Sequence, residues 1–224
     1  AVGLGTGQES VGLAKAAALA SAVDPFIPAA TLLYELSGQR LGDRTVHRIS
    51  RQVGSVACEQ ERQLALRMAS WSVPLEGIEA RPARLYVCVD GVMVHRQWNE
   101  AKCVACYWET DDGHGGTLRQ TRYAVRFESA EPFKAFAWSL AMRCGLDSAV
   151  EVILLGDGAA WIWDHVAGVL GEGTICITDW YHVMEHVWAC GNTLYGQASQ
   201  EASQWVDRYE TMLWEGQYLS MIES

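Results

Sequence analysis

The sequence of 224 residues lacks any apolar run close to the eighteen or so residues needed to cross a bilayer, because charged residues interrupt every candidate. It also lacks a basic opening segment followed by an apolar one, the pattern of a secretory leader. Both absences point to a cytoplasmic protein. Cations are scarce: 17 Lys and Arg face 27 Asp and Glu, a formal net charge of −10 that counts against nucleic-acid binding over the whole surface. The seven cysteines (58, 88, 103, 106, 144, 176 and 190) are odd in number and sit mostly in apolar contexts, as reduced thiols would. Only Cys103 and Cys106 form a CxxC, and no second CxxC or spaced histidine pair completes a zinc site, so both are expected to be plain strand residues. At 50% hydrophobic and 20% charged, the composition shows no mark of disorder and fits a soluble globular chain.

The charge is unevenly spread. Residues 1–84 hold nine cations and eight acids, whereas residues 85–224 hold eight cations and nineteen acids. A small basic element therefore precedes an acidic body. The glycines of the opening AlaValGlyLeuGlyThrGly follow no strand and do not fit GxGxxG, so they make no dinucleotide loop. The chain has no initiating Met and ends without a helix cap or stop signal, and a fragment is expected.

Residues 1–70 read as helical, with two helices joined through Ser37-Gly38 and a short turn resembling a helix-turn-helix. Arg40, Arg44, Thr45, His47, Arg48 and Arg51 are the candidate DNA contacts, the arginines giving a local charge of +3 against Asp43. An ordinary helical hairpin with a solvated basic face is the alternative. Two prolines and little periodicity mark residues 71–83 as a linker.

Strands follow at 84–90, 100–109 and 119–127, the last two joined by a turn-rich AspAspGlyHisGlyGly. A helix is expected over 130–144, with Ser129 as cap and Phe133, Phe136, Ala137, Leu140 and Ala141 on one face. Then come a buried strand at 149–157, a helix, a fifth strand at 174–179, and helix from Trp180 onward. The order βββαβαβα is that of an RNase H-like mixed five-stranded sheet, here preceded by the helical region. In that topology the first and fourth strands lie side by side and parallel, bringing Asp90 and Asp157 together at the sheet edge where open α/β sheets place their sites. Two close carboxylates repel unless a cation lies between them. Oxygen donors suit Mg2+ or Mn2+, and a two-metal site of that kind serves phosphoryl transfer.

Three blocks of sequence then resemble a known family. CysValAspGlyValMetValHisArg with TrpAsnGluAlaLys downstream, LeuLeuGlyAspGlyAlaAlaTrpIleTrp, and IleThrAspTrpTyrHisValMetGluHisValTrp are similar to the DDE transposases of bacterial insertion sequences, of the ISKra type related to the mutator-like group. The resemblance spans roughly residues 84–190, with a similar helical segment at about 28–54. It implies a catalytic core at 84–196, with Asp90 and Asp157 as the first two catalytic metal ligands. Asp179 and His182 would be an accessory C/DxxH pair that positions or stabilises the site. The implied partners are terminal inverted repeats and target DNA, the implied assembly a homo-oligomer when full length, and the implied place the bacterial nucleoid.

The family's third acid is a glutamate beyond a helical insertion. Glu185, Glu201, Glu210, Glu215 and Glu223 all lack the strand-to-helix context of that ligand, so residues 197–224 are expected to begin the insertion and stop short of it. The chain as given is then expected to hold metal weakly, and a non-catalytic DNA-binding remnant or repressor is the competing reading. HisValMetGluHis also fits HxxEH, in which His182 and His186 bind zinc and Glu185 works on water. That reading needs a third ligand and leaves Asp90 and Asp157 unexplained.

Overall fold

The computed structural model describes residues 9–69, 81–94, 99–111, 113–114 and 116–223. The first seven residues and most of the expected linker at 71–83 lie outside the described residues. The chain divides into two compact units, Ala1–Val73 and Pro74–Ser224.

The first unit holds three helices, α1 (Val11–Val23), α2 (Phe26–Ser37) and α3 (Asp43–Ala69). The Ser10 hydroxyl accepts the Leu13 N–H at 3.3 Å and starts α1, while Gly38, at φ +66°, ends α2 in the left-handed conformation. Ala14, Ala17, Ala29, Leu33, Val46 and Ile49 form the small core where the three helices meet. The segment expected to be a recognition helix is the first half of α3, which runs for 27 residues.

The second unit contains β1 (Arg84–Val94), β2 (Asn99–Asp111), β3 (Thr117–Arg126), α4 (Ala130–Arg143), β4 (Glu151–Gly156), a π-helical segment (Ile162–Ala167) running into the short α5 (Gly168–Leu170), β5 (Ile175–Thr178), α6 (Trp180–Tyr195), α7 (Gln200–Trp214) and α8 (Tyr218–Glu223). The five strands form one mixed sheet in the order β3-β2-β1-β4-β5. β1–β2 and β2–β3 are antiparallel, whereas β1–β4 and β4–β5 are parallel. The expected mixed α/β architecture is therefore present.

Alternation along the strands decides which residues meet the core. Leu85, Val87 and Val89 of β1, with Val104 and Cys106 of β2, point to one face, where they pack against Phe133 and Ala137 of α4 and against Ile162 and Val166. Phe133 is fully buried and meets the Trp161 ring edge-on at 5.7 Å. Tyr86, Cys88 and Asp90 occupy the opposite face, whose exposed members include Tyr123 and Ile177. Helices α6 and α7 build a separate small cluster from Met184, Val187, Val206 and Tyr209.

Two local expectations need correction. Asp90 does not end its strand: β1 continues to Val94, because the antiparallel ladder with β2 runs on from Gly91–Lys102 to Val94–Asn99 after the parallel ladder with β4 has stopped at Val89–Gly156. Ser129 stands at the start of α4 with extended backbone but makes no side-chain cap bond. Phe133→Ala should lower the unfolding free energy by roughly 3–5 kcal/mol through the cavity it leaves. Urea unfolding followed by tryptophan fluorescence measures this directly.

Candidate functional site

The parallel ladder aligns the acids. Val89 pairs with Gly156 and Gly156 with Thr178, so Asp90, Asp157 and Asp179 each follow a paired residue on three adjacent strands. The Asp179 N–H donates to the Gly156 carbonyl at 2.7 Å, holding the third strand's end against the second. Asp157 and Asp179 lie just past the ends of β4 and β5, whereas Asp90 lies within β1.

Each carboxylate uses one oxygen locally. Oδ1 of Asp90 accepts the Gly91 N–H at 2.7 Å, and Oδ1 of Asp157 accepts the Ala159 N–H at 2.9 Å. Oδ1 of Asp179 accepts from Tyr181 at 2.8 Å and from His182 at 3.3 Å, capping α6. Nδ1 of His182 lies 3.8 Å from the same oxygen, with both side chains about half exposed. The Asp179–His182 pair thus has a complete local role, the start of a helix, before any role in chemistry is considered.

The acids act on the thiols of the open face. Burial pushes the Cys103 thiol above its usual range, and the charge of Asp90 adds to it. Cys88 is likewise raised, mainly by burial, with a hydrogen bond from Tyr107 pulling the other way and the charge of Asp179 adding to the rise. Tyr107 itself is pushed up to about 12, by burial first and then by Cys88. Cys103 and Cys106 point to opposite faces of β2, so the CxxC does not converge on a metal.

Asp90 and Asp157 suit a hard cation. Mg2+ is commonly held by one or two carboxylates, with water and phosphate oxygens filling the remaining positions. Among the described residues, no group of three or more His, Cys, Asp and Glu gathers to hold a metal ion.

The helical unit meets the DNA-binding expectation unevenly. Arg44 and Arg51 are exposed on α3. Arg48 pairs with Glu9 and donates to Gln52 at 3.1 Å, Arg40 lies over the Tyr34 ring at 4.8 Å, and His47 packs its ring 4.7 Å from Phe26. Thr45 is half-buried. Arg44 and Arg51 are thus the residues most available to a phosphate.

Glu100 and Lys102, in the TrpAsnGluAlaLys block, have a part that their sequence context does not reveal. Lys102 is more than nine-tenths buried, forms an ion pair with Glu100, and places its ammonium 4.8 Å from the centre of the Trp161 ring. The signal was present as two opposite charges, two apart, just before the apolar run CysValAlaCysTyrTrp. No known protein family matches the chain, and no curated protein matches it.

Replacing Asp179 by Ala should destabilise the second unit by about 1 kcal/mol through loss of the α6 cap, while Asn, which also caps, should retain most of it. Thermal unfolding of the two variants side by side checks the difference.

Proposed function

We propose that this chain is the metal-dependent DNA-cleaving core of a DDE transposase with an RNase H-like sheet, acting on the ends of an insertion sequence. The observation that carries this reading is that Asp90 and Asp157 each directly follow the last pair, Val89–Gly156, of the parallel β1–β4 ladder in a sheet ordered β3-β2-β1-β4-β5. That strand order and those directions agree with an RNase H-like sheet, and the resemblance of the three sequence blocks points the same way. When bound there, Mg2+ or Mn2+ would activate water and stabilise the departing oxygen of a phosphodiester. Asp90 and Asp157 would hold the ion, each oriented by a backbone N–H of its own loop. The Asp179–His182 pair would fix the adjoining strand end and the start of α6, supporting the edge without ligating. Strand transfer would follow when the freed 3'-hydroxyl attacks target DNA. The helix-turn-helix-like unit would bind terminal repeats through α3, in a homo-oligomer and in the cytoplasm.

A second reading, a DNA-binding remnant without catalysis, is favoured by one observation. Among the described residues, no group of three or more His, Cys, Asp and Glu able to hold a metal ion is found. Incubation of supercoiled DNA with the chain in Mn2+ separates the two. Catalysis predicts nicking that Asp90→Asn and Asp157→Asn each abolish, and nicking that survives either change overturns it. Binding without nicking, unchanged in Asp90→Asn, supports the remnant. In both readings Arg44→Ala and Arg51→Ala should each flatten the plot of log affinity against log salt by about 0.9, the share of one phosphate contact. An unchanged slope in both removes α3 from the interface.

A further inference from the structure

Behind each of the two aspartates, on the core face of the sheet, stands a glycine with something pressed against it. Gly91 follows Asp90, and a Cβ there would run into the carboxylate of Glu100. Gly156 precedes Asp157, and a Cβ there would meet two carbons of Ile162 at 3.0 Å and the Trp163 ring at 3.4 Å. The Glu100 carboxylate is tied to Lys102, which is Gly91's partner across the β1–β2 ladder. The Lys102 ammonium in turn lies over Trp161, four residues after Asp157. An unbroken line of contacts therefore joins the backbone that carries Asp90 to the helix that begins behind Asp157: Gly91, Glu100, Lys102, Trp161.

The ion pair is expensive for a merely structural element. The Lys102 side chain is 8% exposed and that of Glu100 35%, so the cation has lost nearly all of its water. Its replacement is one carboxylate and the face of an indole, whose quadrupole attracts a desolvated cation strongly. A buried pair of this kind is weak support for stability but can fix one arrangement among several. What it fixes here is the spacing between the strand of Asp90 and the turn of Asp157.

We infer that Glu100 and Lys102 are positioning residues for the Asp90–Asp157 pair, locking β1 against the helix after β4 so that the two carboxylates stand at the separation a divalent cation requires. The inference rests on the metal-site reading of those aspartates. Groups that orient metal ligands without touching the ion matter: their loss weakens metal binding by about 10- to 100-fold.

The test is Mn2+ binding to the full chain, followed through the electron paramagnetic resonance of free Mn2+, with circular dichroism and thermal unfolding recorded on each variant. Glu100→Gln, which keeps size and folding, should weaken Mn2+ binding by about 10-fold. Lys102→Met should do the same, and Lys102→Arg, which keeps a cation over Trp161, should restore binding toward that of the wild type. This rescue separates positioning from simple packing, since Met fills the space about as well as Arg. Should Lys102→Met fail to fold, Glu100→Gln alone decides. Unchanged Mn2+ affinity in Glu100→Gln, with Asp157→Asn still abolishing binding, overturns the positioning role and leaves the metal site standing. Binding that ignores both Asp90→Asn and Asp157→Asn overturns the metal site and this inference together.

Discussion

The parallel pairing of β1 with β4 is the constraint on which the rest of the second unit depends. It runs from Arg84–Glu151 to Val89–Gly156, and every pair within it decides which side chains reach the core and which reach the open face. A slip of one residue would turn Leu85, Val87 and Val89 out to solvent and send Tyr86, Cys88 and Asp90 into the core. Burying those three polar or aromatic positions in place of three aliphatic ones is prohibitive, so the register is strongly specified. The same register puts Asp90 and Asp157 each one residue past the last β1–β4 pair, so their placement follows from the packing of the core.

Much of this was legible in the sequence because it rests on period. Alternation along residues 84–90 and 100–109, and the apolar run before Asp157, indicated strands; the helical stripe of Phe133, Phe136, Ala137 and Leu140 indicated the helix that covers them. Asp179 and His182 at a strand-to-helix junction were visible too, and their capping geometry is what AspxxHis at such a junction does by default. What escaped the sequence is what depends on strand partners. The extension of β1 beyond Asp90 is imposed by β2, whose pairing no feature near Asp90 announces. The π-helical widening at Ile162–Ala167 accompanies the close seating of Ile162 and Trp163 on Gly156, a contact between elements that periodicity cannot report. The fate of Arg48 also lay beyond reach: its partner Glu9 is 39 positions away and is brought near only by tertiary packing.

The two units divide the proposed work by charge. The helical unit presents Arg44 and Arg51 on an exposed helix face, while the sheet unit carries the acids that a cation would have to neutralise before a phosphate could approach. An acidic sheet edge repels DNA by itself, so cation binding and substrate approach are coupled in this reading. Among the described residues, no helix is long and apolar enough to cross a membrane.

The central claim is that a divalent cation is held between β1 and β4 and not on α6. Paramagnetic broadening in the amide NMR spectrum on addition of sub-stoichiometric Mn2+ tests it most directly. The account predicts that the signals of Gly91 and Gly158 fade first and together, with Glu185 and His186 little affected. Broadening centred on His182, Glu185 and His186, with Gly91 and Gly158 unchanged, would contradict it.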